Sequence, residues 1–213
     1  MAITDKEQGV WELEQVYNKI NEGGIWQYSS DQKQLMGWGR NITGSLGFND
    51  IISRSSPTQL PGTTWSETGL YRGNGDEGGY HNGLVRTDGS LWMIGENGEG
   101  QLGLNTIGTS FSSPVQLGTD TTWSHGSQAA DACLGVKTDG TLWTWGSNSY
   151  GQLGHGQVGS GPNRNRKSSP TQLSGTWSTK NNAFGGGSAF MGAINTDGEL
   201  FTWGANVNGK LGR

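Results

Sequence analysis

With 39 glycines in 213 residues, one cysteine, and 14 Lys and Arg against 18 Asp and Glu, the chain is neither a basic nucleic-acid binder nor a disulfide scaffold. Leu, Ile, Val and Phe total only 37, a level typical of disorder, but the net charge of -4 is too small to hold a chain open and ten tryptophans supply the missing apolar area. No apolar run reaches the roughly 18 residues of a membrane span, and the opening residues Met1 to Gln15 lack a signal peptide's apolar segment, so a soluble protein without a leader is expected.

The first predicted element is a short amphipathic helix within residues 1–24. Thr4 and Glu7 have capping-box spacing, and Val10, Leu13, Tyr17 and Ile20 follow a helical period up to Gly23 and Gly24. Such a helix is marginal alone in water, so its apolar stripe has to dock. The β domain of the same chain and a neighbouring protein are both open as the surface it docks on. Trp11, Leu13, Tyr17 and Trp26 are the candidate partner-binding anchors, because aromatic residues bury much area at small entropic cost.

From residue 25 the period becomes that of strands, and one stretch recurs. Thr138 to Gly154 (TDGTLWTWGSNSYGQLG) is matched by Thr87 to Gly103 and Thr196 to Gly212, and in part by the residues ending at Gly47. The glycine that closes the aromatic half of the stretch (Gly39, Gly95, Gly146, Gly204) precedes the glycine of the Leu-Gly pair by 8 residues every time, although the copies are offset by 56, 51 and 58 residues. A fixed core with variable spacers is the signature of a repeat architecture.

Within each repeat, Thr-Asp-Gly reads as a tight hairpin turn, since Asp and Gly accept the positive φ that such turns demand. For the central unit the flanking strands are expected at Cys133 to Lys137 and Thr141 to Trp145. A loop from Asn148 to Gly154 follows, with Leu153 as its apolar plug. Ser-Pro steps at Pro57, Pro114 and Pro170 suit an outer strand, and Trp65, Trp123 and Trp177 each open the innermost strand of the next unit. The sequence thus divides into residues 1–24 and 25–213, with repeats at about 25–86, 87–137, 138–195 and an incomplete 196–213. Four-stranded units too small to bury both faces stack radially, giving an all-β fold: a partial or open β-propeller of about three and a half repeats with a short N-terminal helix. Insertions between the Leu-Gly pair and Ser-Pro, such as 155–167, are expected to carry recognition.

Catalytic or metal-binding chemistry is hard to assemble from these residues, and no cofactor and no enzyme activity are expected. His81, His125 and His155 lack metal-ligand spacing, and Cys133 falls at an apolar repeat position where a buried, inert thiol is expected. Asp88, Asp139 and Asp197 read as turn formers, the Asp76-Glu77 pair as solvated, and Arg164, Arg166 and Lys167 as a solvated loop cluster.

The Leu-x-x-Trp-Gly step at Leu142 to Gly146, the Asn-x-x-Gly-Gln-Leu-Gly runs from Asn97 and Asn148, the Ser-Pro step and His81 together resemble the regulator of chromosome condensation repeat family. That resemblance covers roughly residues 30–213. It implies propeller blades, commonly seven to a ring, and a function of binding proteins through loops and faces. The stretch from Gly9 to Trp26 also resembles openings of tail-fibre-like structural proteins of marine bacteriophages. On that basis the expectation is a non-enzymatic virion component (tail-, fibre- or capsid-associated) whose first segment attaches it and whose scaffold contacts proteins or a host surface. Its partners would be other virion proteins or a second copy of itself, with no nucleic acid and no membrane span. The alternative is a regulatory protein-binding module, such as an enzyme inhibitor or a small-GTPase exchange factor. The chain would be part of a longer protein, or its arc would be completed by a partner.

Overall fold

A computed structural model describes residues 34–62, 64–70, 80–158, 165–180 and 182–212. The anticipated N-terminal helix, with Trp11, Leu13, Tyr17 and Trp26, lies outside them.

The described residues contain thirteen strands and one 3-10 turn at Val207–Gly209. In the centre, β7 (Trp123–Gln128), β8 (Ala132–Lys137), β9 (Leu142–Gly146) and β10 (Lys167–Leu173) form an antiparallel sheet ordered β10-β9-β8-β7. The preceding sheet repeats this with β3 (Trp65–Leu70), β4 (His81–Arg86), β5 (Leu91–Gly95) and β6 (Phe111–Gln116). Before it stands the pair β1 (Met36–Gly39) and β2 (Arg54–Gln59), the counterparts of a third and fourth strand. After it come β11 (Phe184–Gly186), β12 (Phe190–Ile194) and β13 (Leu200–Gly204), counterparts of the first three. The strands expected around Asp139 are therefore present: β8 begins one residue earlier and ends at Lys137 as expected, and β9 is displaced by one residue.

Sequence alternation explains why the sheets stack. Along β9, Leu142 faces the following sheet, where it joins Leu134, Val136, Leu153, Trp177, Met191 and Ala193. Trp143 and Trp145 face the preceding one, with Val85, Leu91, Met93, Leu102, Leu117, Trp123 and Cys133. A third layer of Leu60, Trp65, Leu84 and Ile94 joins the first sheet to the second. Side chains of successive strand residues point to opposite faces, so a blade covered on both sides must be apolar at nearly every position. Accordingly β8 is buried from Ala132 to Val136. The first strands β3, β7 and β11 also pack on one another, which places them innermost. Trp65 and Trp123 open β3 and β7 as expected, but β11 begins at Phe184, and Trp177, expected to open it, instead forms an isolated bridge to Asn195. Pro57, Pro114 and Pro170 sit in β2, β6 and β10, strands paired on one side only, where a missing N–H costs no ladder bond.

The turns set this register. Asp139 Oδ1 accepts from the Thr141 amide at 2.9 Å and from its hydroxyl at 2.7 Å, while Gly140 holds φ +82°. Asp88 serves Ser90 in the same way, at 2.9 and 2.6 Å. The third copy departs from expectation: Asn195, not Asp197, collects the turn amides, accepting from Asp197 N at 3.0 Å and Glu199 N at 2.8 Å. Asn195 stands where β4 and β8 end in Arg86 and Lys137, and its short amide reaches back over the turn where those long cations cannot.

Candidate protein-interaction loops

The loop after the third strand of each unit is built around one asparagine, buried in the first three units and exposed in the last. Asn148 Oδ1 accepts from Leu153 N at 3.0 Å, and its Nδ2 donates to the Gln157 carbonyl at 3.0 Å. Asn97 does the same with Leu102 N (3.1 Å) and the Thr106 carbonyl (3.0 Å), and Asn41 with Leu46 N (2.8 Å) and the Asp50 carbonyl (3.0 Å). In the last unit Asn206 Oδ1 accepts from Leu211 N at 3.1 Å. One amide side chain thus satisfies a donor five residues ahead and an acceptor nine residues ahead, closing the loop across its waist.

What the staple presents follows from the next residue. Counting ten from each asparagine gives Ile51, Ile107 and Val158, which are 65%, 43% and 65% exposed. The position two before each is left-handed: Asn49 at φ +61°, Asn105 at +57° and Gly156 at +70°. A β-branched side chain is stiff, and here its backbone is also pinned by the bond to the preceding carbonyl. Tyr150 and Ile42 are exposed in the same loops. Ile51, Ile107 and Val158 are therefore offered at the same register in successive units, at the end of the sheets opposite the Thr-Asp-Gly turns.

These loops are also bound to their neighbours. Trp145 Nε1 donates to the Gln101 carbonyl at 2.9 Å and Trp203 Nε1 to the Gln152 carbonyl at 2.8 Å, so each loop receives an indole from the next sheet. In the second sheet Ile94 occupies the tryptophan position and cannot donate; Asn82 Nδ2 supplies the bond instead, to the Ser45 carbonyl at 2.9 Å. A Cβ on Gly103 would lie 3.0 Å from the Trp145 ring, which with φ +70° requires glycine there. Arg166, expected in a solvated cluster, instead reaches Glu99 of the preceding loop at 3.3 Å. Sequence spacing reveals the loop but not this partner, 67 residues away.

At the opposite end, a cation lies between two aromatic rings. Lys137 Nζ is 5.0 Å from the Trp123 centroid and 4.2 Å from that of Trp143. The Arg86 guanidinium is 4.9 Å from Trp65 and 4.0 Å from Trp92. Asp120 pairs with Lys137 at 2.5 Å. Burial raises the Asp120 pKa, but Lys137 and the Thr122 hydroxyl and amide outweigh it and bring it to about 2.

The candidate chemical groups have structural partners. His81 is fully buried with Nε2 3.1 Å from Cys133 Sγ, and burial lowers its pKa to about 4. The Cys133 thiol lies 3.3 Å from the Gln101 carbonyl, and burial raises its pKa. A neutral imidazole against a neutral thiol, both closed to solvent, has no substrate to act on. His125 Nε2 lies 3.1 Å from the Lys180 carbonyl, and His155 Nε2 3.0 Å from the Thr144 hydroxyl. Among the described residues no three His, Cys, Asp or Glu side chains gather as a metal site, and no helix is long and apolar enough to cross a membrane. Asp76, Glu77 and Arg164 lie outside the described residues.

Comparison with known proteins agrees with this geometry. Residues 139–188 match the regulator of chromosome condensation (RCC1) repeat. The RCC1 domain-containing protein RUG3, mitochondrial, of Arabidopsis thaliana is 27% identical over 84% of the chain and 43% of its own length. The ultraviolet-B receptor UVR8 of the same plant is 27% identical over 84% of the chain and 39% of its length. Yeast RCC1 (Prp20), from the crystal structure of Kap60 bound to it, superposes with a TM-score of 0.63 at 17% identity, over 81% of the chain and 40% of Prp20. At that identity the likeness establishes the fold: RCC1-type propeller blades. The chain spans about two fifths of the length of these relatives.

Proposed function

We propose that this chain is a non-enzymatic, regulatory protein-binding module that holds its partner through the asparagine-stapled loops. The observation that carries this is the exposure of Ile51, Ile107 and Val158 at one register beyond a buried asparagine. A rigid scaffold that spends a buried amide to aim an apolar side chain into solvent is preorganised for contact, and preorganisation lowers the entropic cost of binding. The RCC1-type fold supports the reading, since Prp20 is itself seen bound to a protein, Kap60. The virion assignment expected from the opening residues draws no support from these relatives.

The test is site-specific photo-crosslinking of the full chain in the cells that make it. A diazirine amino acid at position 107 or 158 should capture one common protein. The same probe at Thr119, at the opposite end, should not capture that protein. Equal capture from both ends refutes the loop surface.

A further inference from the structure

The geometry points to a carboxylate socket at the Trp65–Arg86–Trp92 stack, taking an Asp or Glu side chain from an acidic peptide segment of a partner protein. It lies at the turn end of the second sheet and does not depend on the loop reading.

One position differs among three units. In the third sheet, Lys137 sits between Trp123 and Trp143, and Asp120, three residues before Trp123, pairs with it. In the last sheet, Asn195 replaces the cation and Ser174 stands three residues before Trp177, so cation and acid are both gone. In the second sheet only half of the pair is missing. Arg86 keeps the cation and its two tryptophans, but Gly62 stands three residues before Trp65. Gly62 has φ +106°, a conformation that does not favour an aspartate there.

Arg86 forms no ion pair among the described residues, although, after the hydrogen bonds from Ser90, its charge helps to lower the pKa of Asp88. Its Nε is buried without a hydrogen-bond partner. The adjacent carboxylate, Asp88, is engaged with Ser90. The flanking indoles point elsewhere, Trp65 Nε1 to the Pro61 carbonyl at 3.3 Å and Trp92 Nε1 to Ser90 Oγ at 2.9 Å. A guanidinium held within 4.0 Å of one indole centroid and 4.9 Å of another, and paired with no carboxylate, keeps donors for bidentate capture of a planar carboxylate. Asp120 shows that this place in the fold accepts one.

The experiment is a titration of the full-length protein with N-acetylated tetra-glutamate, followed by the indole N–H signals of the tryptophans. Trp65 and Trp92 should shift saturably, while Trp123 and Trp143, whose cation is already paired, should not. R86Q should weaken the response tenfold or more, and R86K should retain part of it. D120N should make Trp123 and Trp143 respond as well, an arm that decides the question even if R86Q does not fold. No shift in the wild type, an equal shift in R86Q, or no gain in D120N overturns the socket. Inorganic phosphate acting at lower concentration than the peptide would overturn the carboxylate assignment in favour of a phosphate site.

Discussion

Replacing Asn148 with alanine tests the loop staple. The substitution removes the acceptor for Leu153 N and the donor to the Gln157 carbonyl, bonds of 3.0 Å each, at a side chain only 1% exposed. A buried polar group left without its partner costs about 1–3 kcal/mol. Leu153 N lies in a residue that is 0% exposed and carries that cost, whereas Gln157 is exposed and its carbonyl can bond water instead, so the total is about 1–3 kcal/mol. Against a typical stability of roughly 5–15 kcal/mol this is a large fraction. Urea unfolding followed by tryptophan fluorescence should show a lower midpoint at unchanged slope, since the core sheets still unfold as before. Hydrogen exchange should accelerate at the Leu153 amide and at Gly154, which donates to the Gly151 carbonyl across the same loop. Asn148→Asp keeps the acceptor, loses the donor and buries a charge, and should destabilise at least as much. A midpoint within about 0.5 kcal/mol of wild type for Asn148→Ala, with unchanged exchange at Leu153, refutes the staple.

Further outcomes follow from the same geometry. Trp145→Phe leaves the Gln101 carbonyl without its indole donor and opens space in a side chain that is 0% exposed, costing about 2–4 kcal/mol by calorimetry, and more than Trp143→Phe at the partly exposed neighbouring position. Stability should fall between pH 6.5 and 4, because unfolded His81 gains a proton near 6.5 that the buried imidazole resists until about 4. His81→Gln should flatten that segment of the stability profile, and an unchanged slope would remove His81 as its cause. Asp120, depressed to about 2, stabilises the fold above the ordinary carboxylate pKa and loses that contribution as pH falls towards 2, so Asp120→Asn should blunt the acid limb of unfolding there.

Much of the architecture is legible in the sequence because its causes are local. Thr-Asp-Gly specifies a turn through one carboxylate and one glycine, and the spacing of Leu142, Trp143 and Trp145 specifies a strand buried on both faces. Leu153 fills its loop as its position implies, and Cys133 is buried as an apolar repeat position requires. What the sequence conceals are contacts between units. Nothing near Trp145 indicates that its N–H is received by Gln101, 44 residues earlier. Arg166 looks like one of three solvated cations until folding brings Glu99 beside it. The turn at Asp197 misleads because Asn195, two residues upstream, competes for the same amides and wins. The apolar row of Ile51, Ile107 and Val158 did carry a signal, its constant distance of ten from each loop asparagine. That signal is visible only once the asparagine is known to bind the carbonyl just before it.

The affinity of the chain for the protein that the loop crosslinks identify is the decisive measurement for the loop surface. Titration calorimetry should show Ile51→Ser, Ile107→Ser and Val158→Ser together weakening binding at least tenfold, about 1.4 kcal/mol, with the melting temperature unchanged because all three side chains face solvent. Wild-type affinity in the triple variant would contradict the claim that these loops are the binding surface.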